Sequence, residues 1–204
     1  VYFVAFMSIL GVLGLGTAVA SLLAAAGIGG IVIAFGAQSL VKDVFSGLFL
    51  LFEGQYAVGD YVEADGEKGT VTAITLRTTS LRRFTGEVVT IPNGNISKLV
   101  NYSTSDSVAV VDISVAYDTD IEKACAIMQS VGLEYMASYD NILEEPHVLG
   151  IIELGESSIV LRMIVRVKPL THWETERALR RRIVEEFARS HVEIPFPHRV
   201  VVSK

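Results

Sequence analysis

Residues Ala24 to Gly47 read AAAGIGGIVIAFGAQSLVKDVFSG, a run of small and apolar residues that meets its first charges at Lys42 and Asp43. The part of this run before Lys42 belongs to a longer stretch, Val1 to Val41, that contains no Asp, Glu, Lys or Arg. A helix rises about 1.5 Å per residue and a bilayer core is about 30 Å thick, so one span takes about 20 residues. The charge-free stretch is about twice that length and therefore predicts membrane helices.

This apolar front divides into segments. Gly14-Leu15-Gly16-Thr17 predicts a break, which leaves Ala18 to Leu40 as one full span and Val1 to Leu13 as part of another. We therefore expect upstream spans before Val1. The front is not a signal peptide, because it lacks a basic n-region and is far longer than an h-region. Val41 to Phe52 predicts a further helix that ends at a left-handed Gly54.

The remainder of the chain has the composition of a mildly acidic soluble protein. All 17 basic and 23 acidic residues lie from Lys42 onward, and the formal net charge is -6. Proteins that bind nucleic acid usually carry a basic stripe, and its absence predicts no nucleic-acid partner. The single cysteine, Cys125, excludes an internal disulfide and is interpreted as a small core residue of a helix.

Short strands separated by turns are predicted between residues 54 and 106. The predicted strands include Tyr61 to Ala64, Gly69 to Thr79 and Glu87 to Ile91, with turns at Asp65-Gly66, Thr85-Gly86 and Pro92-Asn93-Gly94. Strands of this length and spacing are typical of a small β-barrel.

Residues 107–204 have a different pattern of predicted secondary structure, in which helices alternate with strands. The predicted order is a strand from Val108 to Tyr117, a helix from Ile121 to Ala137, strands from His147 to Leu154 and Ser158 to Lys168, a helix from Trp173 to Ser190, and a strand from Arg199 to Val202. The order βαββαβ predicts a split, ferredoxin-like α+β domain.

The small residues of the full span fall on two stripes. At about 100° per residue, Ala26, Gly30, Ala34 and Ala37 lie on one stripe, and Ala25, Gly29 and Gly36 lie on the other. A third face, roughly 110–140° from each stripe, carries Ile31 and Phe35.

Such a helix can accept a close neighbour on each side, and a repeated heterologous contact closes into a ring. Ile31 and Phe35 would then face the ring axis as two apolar collars that block conduction by dewetting. The same residues also fit a crowded helix in the bundle of its own subunit, with Ile31 and Phe35 as ordinary core.

Catalysis, metal binding and cofactor binding are not predicted. His147, His172, His191 and His198 lack metal-ligand spacing. Glu144-Glu145-Pro146 is interpreted as a loop, and no nucleotide-binding glycine motif follows a strand.

Several motifs resemble the small-conductance mechanosensitive (MscS-like) channel family over nearly the whole chain. Ala24 to Gly47 is similar to the pore-lining helix of that family. The other matching motifs are Gly59-Asp60-Tyr61-Val62, Gly69-Thr70-Val71 and Ile91-Pro92-Asn93-Gly94 in the middle, and Val115-Ala116-Tyr117-Asp118-Thr119-Asp120 and Pro195-Phe196-Pro197 towards the C-terminus.

The resemblance implies a fold and a function. The implied domains are an α-helical membrane part (1–53), a small Sm-like β-barrel domain (54–106) and an α+β ferredoxin-like domain that ends in a barrel strand (107–204). The implied assembly is a homoheptamer in the plasma (inner) membrane, multi-pass, with its soluble domains in the cytoplasm. Membrane tension, transmitted through lipids, would open a pore for ions and small osmolytes.

The resemblance also implies roles for single residues. Ile31 and Phe35 correspond to the two constriction leucines of the family, and Gly47 matches its kink. Gln38 matches a glutamine of the family, and Ser39 replaces a second hinge glycine, so the bend and the ease of closing are expected to differ here. Two other classes stay open: a membrane-anchored ligand-binding or scaffold module without a pore, and a secondary transporter, although Val1 to Val41 offers none of the charges that a transporter needs.

Overall fold

The structure is a computed structural model that describes residues 1–13 and 16–197. The chain forms two compact units, described separately below. The first unit comprises residues 1–59 and 63–99, and the second comprises residues 60–62 and the chain from residue 100 onward.

Two helices form the N-terminal part of the first unit. Helix α1 covers Tyr2–Val12, and helix α2 covers the 38 residues Gly16–Glu53. From Val19 to Glu53, α2 is long and apolar enough to cross a membrane, and its most apolar window is not buried within the described residues. By length and composition, α2 therefore agrees with the predicted membrane helix.

Helix α2 does not divide at Leu40, and the expectation of a separate helix from Val41 onward is wrong. No proline interrupts the segment, and Lys42 and Asp43 mark a change of polarity rather than a helix stop. The predicted end is confirmed: Gly54 has φ +61°, and its N–H donates to the carbonyl of Leu50 at 3.2 Å.

Five strands and one 3-10 turn follow α2. They are β1 (Tyr61–Ala64), β2 (Glu67–Ile74), β3 (Thr78–Arg82), β4 (Val88–Pro92), the turn Asn93–Asn95 and β5 (Leu99–Asn101). The sheet order is β4-β3-β2-β1-β5. The predicted turn between β1 and β2 is confirmed, because Asp65 and Gly66 have φ values of 50° and 86°.

One strand prediction in this β-domain is wrong. The stretch Gly69 to Thr79 is two strands, because β2 ends at Ile74 and β3 begins at Thr78. The N–H of Thr75 donates to the carbonyl of Thr78 at 2.8 Å, and the N–H of Thr78 donates to the Thr75 hydroxyl at 2.9 Å. Threonine favours strands and also closes turns through its hydroxyl, so the alternating pattern concealed the turn.

The second unit contains the predicted α+β domain. Its elements are β6 (Ser107–Val115), α3 (Ile121–Ser138), β7 (His147–Leu154), β8 (Ile159–Val167) and α4 (His172–Arg189). The antiparallel sheet has the order β6-β8-β7. The α+β class is confirmed, and the predicted strand Arg199 to Val202 lies outside the described residues.

The core of this domain lies between the sheet and its two helices. Alternate residues of β6 and β8 are buried against α3 and α4, and the fully buried members include Val111, Leu161, Met163, Met128, Leu179, Ile183 and Phe187. Asp120 caps α3 by accepting a hydrogen bond from the N–H of Lys123 at 3.1 Å. Cys125 is half-buried against this core, and burial raises the pKa of its thiol.

Candidate pore helix and its contact with the β-domain

The predicted constriction residues are exposed on α2. Ile31 is 57% exposed and Phe35 is 73% exposed, and with Ala34 and Gln38 they line a shallow groove along the helix. The predicted packing residues Ala26, Gly29, Gly30, Ala34 and Gly36 are also exposed, and Ala37 is half-buried. Both kinds of predicted site residue are therefore available for contacts outside this chain.

The glycines of α2 fall into two groups. A Cβ atom added at Gly29, Gly30 or Gly36 meets nothing within 4 Å in the described part of the chain. A Cβ atom at Gly47 would lie 2.0 Å from the carbonyl oxygen of Leu76 and 2.4 Å from Nδ2 of Asn93. Contacts inside the subunit therefore explain Gly47, and they do not explain the glycines of the span.

The second half of α2 contacts the β-domain of the first unit at Asp43 and Gly47. Oδ1 of Asp43 accepts a hydrogen bond from the N–H of Gly94 at 3.0 Å, and Asp43 is only 8% exposed. A Cβ atom at Gly94 would lie 2.7 Å from the same oxygen. A buried carboxylate is costly unless it is hydrogen-bonded, so Gly94 both admits Asp43 and stabilises it.

A buried polar network supports this contact from within the β-domain. Asn93 is fully buried, and its Nδ2 donates to the carbonyls of Thr75 and Leu76 at 3.0 and 3.1 Å. The hydroxyl of Thr79 donates to Oδ1 of Asn93 at 2.9 Å, so the hydroxyl of Tyr56 is the donor to Thr79 at 2.7 Å. Burial raises the pKa of Tyr56, which keeps its phenol protonated.

Sequence reasoning missed this network. Asn93-Gly94 was interpreted as turn chemistry, which accounts for the 3-10 turn but not for the contacts of the Asn93 side chain. The only available signal was the resemblance of Ile91-Pro92-Asn93-Gly94 to the mechanosensitive channels, because Pro-Asn-Gly by itself is ordinary turn composition.

The apolar side chains of this half of α2 lie on another face. Phe45, Phe49 and Phe52 are exposed in the described part of this chain. Asp43 and Gly47 lie about 180° away from these phenylalanines around the helix. The close approach of α2 to Leu76 requires a residue without a side chain at position 47.

The predicted hinge residues lie within continuous helix. Gln38 and Ser39 are exposed, and α2 passes through them and through Gly47 without a break. A bend at these positions stays a prediction.

An aromatic cluster in the second unit surrounds the start of α4. The ring of His172 lies 4.0 Å from that of Trp173, and Trp173 lies 5.4 and 5.7 Å from Tyr61 and Tyr102. Nδ1 of His172 is buried and has no hydrogen-bond partner among the described residues. Burial lowers the pKa of His172, opposed by the nearby carboxylate of Glu176. Among the residues described, no group of three or more His, Cys, Asp or Glu is placed to hold a metal ion.

Two protein families match the chain. Residues 39–104 match the family described as mechanosensitive ion channel, β-domain. Residues 109–194 match the family described as mechanosensitive ion channel MscS, C-terminal. Together the two matches cover the β-domain, the α+β domain and the end of α2.

Characterised and uncharacterised relatives extend the similarity into the membrane helix. The chain is 39% identical over 202 residues to the small-conductance mechanosensitive channel of Caldanaerobacter subterraneus, a match that covers 99% of this chain and 71% of that protein. It is 36% identical to an MscS family protein of Archaeoglobus fulgidus, over 97% of this chain and 69% of that protein. It is 31% identical to the moderate conductance mechanosensitive channel YbiO of Escherichia coli, over 89% of this chain and 25% of that protein.

Solved structures share the fold. The closed-state crystal structure of Helicobacter pylori MscS has a TM-score of 0.84 at 24% identity, covering 99% of this chain and 79% of that chain. Arabidopsis thaliana MSL1 has a TM-score of 0.74 at 23% identity, covering 96% of this chain and 72% of that chain.

Proposed function

Because this chain belongs to the MscS family and is a subunit of a mechanosensitive ion channel, we propose that α2 lines its pore and that Ile31 and Phe35 close it. One observation carries the proposal. A Cβ atom added at any glycine of the span meets nothing within 4 Å among the described residues outside the adjacent helix backbone, whereas one added at Gly47 on the same helix would collide with Leu76. Glycine disfavours a helix by about 1 kcal/mol relative to alanine, so close contacts with other helices must offset this cost.

The proposed assembly is a homoheptamer in which each α2 contacts a neighbour on both sides. One contact uses Ala26, Gly30, Ala34 and Ala37, and the other uses Gly29 and Gly36. The third face then points at the pore axis, where Ile31 and Phe35 form two apolar collars about one helical turn apart. Apolar constrictions of this kind stop ion flow by dewetting.

The proposed mechanism needs two states, a closed ring with dry collars and an expanded ring of larger in-plane area. Tension from the surrounding lipids favours the state of larger area, because it does work on the area difference. Gly47 is proposed as the bend between the two halves of the pore helix, and Gln38-Ser39 as a second and stiffer hinge. Ions and small osmolytes are the proposed permeants.

The proposed arrangement in the cell follows the family resemblance. Residues 1–53 are assigned to the membrane of a multi-pass protein, and residues 54–106 and 107–204 are assigned to cytoplasmic domains. The relatives are channels, so no enzymatic activity is proposed.

Patch recordings from the purified channel in liposomes test the proposal. We expect Phe35→Ser to wet the collar, which lowers the opening tension and raises the leak through the closed channel. Ile33→Ser is the matched control, because Ile33 is 72% exposed, as Phe35 is, and lies about 160° away around the helix. Equal effects of the two substitutions would show that Phe35 is not part of the constriction. A lack of any tension-gated current would favour a membrane-anchored module without a pore.

A further inference from the structure

Strand β6 lies at one edge of the three-stranded sheet, and two side chains of α4 occupy its outer side. The N–H of Val110 donates to Oε1 of Glu176 at 3.1 Å. The carbonyl of Val110 accepts from Nη2 of Arg180 at 3.0 Å. Glu176 and Arg180 lie one turn apart on α4 and form an ion pair of 3.6 Å.

These two side chains reproduce one hydrogen-bonded pair of an antiparallel ladder. In such a pair, the residue on the neighbouring strand accepts one bond and donates the other to the same partner residue. Glu176 supplies the acceptor and Arg180 supplies the donor, so Val110 has the partners that a fourth strand would give it.

The chain after α4 returns to this same edge. The N–H of Ala116 donates to the carbonyl of Glu193 at 3.2 Å. If an antiparallel strand continued from this pair, residue 195 would face Ser114, residue 197 would face Asp112, and residue 199 would face Val110.

The sequence opposes that continuation at each step. Positions 195 and 197 are prolines, which have no N–H to donate to the ladder. At the next such position, Glu176 and Arg180 already bond to both backbone groups of Val110. The edge of β6 is therefore closed twice, by side chains from α4 and by prolines in the returning chain.

We propose that Glu176 and Arg180 act as a side-chain substitute for a fourth strand and close the edge of β6 against pairing with any other strand. An open edge strand is a template for pairing with other chains, and proteins commonly block it. In an assembly of identical copies every subunit would carry one such edge. The proposal concerns the α+β domain and does not depend on which residues line the pore.

The test compares two double substitutions on the same helix in the full-length oligomer. Glu176→Met with Arg180→Met removes both hydrogen-bonding groups and keeps the apolar stems. Arg181→Met with Glu185→Met is the matched control, since these residues form an exposed ion pair of 2.9 Å away from the edge. Amide hydrogen exchange at Val110 and the fraction of associated oligomers, measured by light scattering, are the readouts.

We expect Val110 to exchange about tenfold faster in the first variant, because its N–H loses its acceptor. We also expect associated oligomers to increase at least about twofold, with neither change in the control. Glu176→Gln keeps an acceptor and removes the charge, so exchange at Val110 should stay within about twofold of wild type. Glu176→Met alone removes only the acceptor and should speed exchange at Val110, so it tests the hydrogen bond even if the double variant does not fold.

A second step tests the role of the prolines. Adding Pro195→Val and Pro197→Val to the Glu176→Met, Arg180→Met variant should restore slow exchange at Val110, because the returning chain can then pair with β6. Unchanged exchange in the double variant would show that the side chains do not protect this edge. Faster exchange with neither association nor restored protection would show that Glu176 and Arg180 only satisfy the backbone, and it would overturn the proposal.

Discussion

Oδ1 of Asp43 lies 3.0 Å from the backbone nitrogen of Gly94, although 51 residues separate the two in the chain. This hydrogen bond joins the second half of α2 to the β-domain within the first unit. It ties the position of α2 to a turn that a purely local interpretation would treat as a simple chain reversal.

Removing the Asp43 carboxylate should loosen this contact. In Asp43→Ala the buried N–H of Gly94 loses its acceptor, which typically costs about 1–3 kcal/mol. We expect the Gly94 amide to exchange at least about tenfold faster in the solubilised channel. Asp43→Asn keeps the acceptor oxygen and should behave like wild type.

Asp65→Ala is the control for this substitution, because Asp65 also accepts a hydrogen bond, from the Ser97 hydroxyl at 2.7 Å, but at an exposed site. It should leave exchange at Gly94 unchanged. Equal exchange at Gly94 in Asp43→Ala and wild type would contradict the importance of the contact.

A methyl group at Gly47 should separate α2 from the β-domain. In Gly47→Ala the Cβ atom would lie 2.0 Å from a backbone oxygen of Leu76, which cannot move as a side chain can. We expect a lower melting temperature, with a loss of about 1–3 kcal/mol as is typical of overpacking. Gly11→Ala on α1, where the added methyl meets nothing within 4 Å in the described chain, should be neutral or stabilising. A wild-type melting temperature for Gly47→Ala would show that this approach is not tight.

Larger side chains on the glycine and alanine stripes should make the channel harder to open. Gly30→Val or Ala34→Val adds bulk where neighbouring helices are proposed to slide past each other, so the gating tension in patch recordings should rise. Ile33→Val changes volume on the back of the same helix and should leave the threshold near that of wild type. An opening tension unaffected by Gly30→Val and Ala34→Val would contradict the proposal that neighbouring helices slide at this interface.

Mild acid should destabilise the α+β domain through His172. Burial holds the folded-state pKa of His172 below its ordinary value of 6.5, while Glu176 acts in the opposite direction. The unfolded state therefore binds this proton more readily, and the contribution of His172 to stability is complete above about pH 6.5 and is lost as pH falls through the folded-state pKa.

Denaturant unfolding between pH 8 and pH 5 measures this effect. His172→Phe should flatten the fall in the free energy of unfolding on the acid side, because the ring stays in the aromatic cluster without a proton to bind. His147→Gln, at an exposed position, should keep the wild-type slope. A His172→Phe profile that parallels wild type would exclude His172 as the responsible group.

Local chemistry explains what could be predicted without coordinates. The left-handed Gly54 and the Asp65-Gly66 turn each depend on a few neighbouring residues, and both are confirmed. Where one residue type suits two local structures, prediction failed, as it did at Thr75 and Thr78.

The sequence by itself determined that the chain has a membrane helix, a β-rich domain and an α+β domain, because hydropathy, strand alternation and helix caps are short-range properties. Tertiary structure alone decided which face of α2 contacts the β-domain, why Gly47 must lack a side chain, and how the edge of β6 is closed. The contacts of Asp43 with Gly94 and of Val110 with Glu176 join residues 51 and 66 positions apart. No local pattern encodes such pairs, because they exist only when folding brings distant backbone groups to within hydrogen-bonding distance.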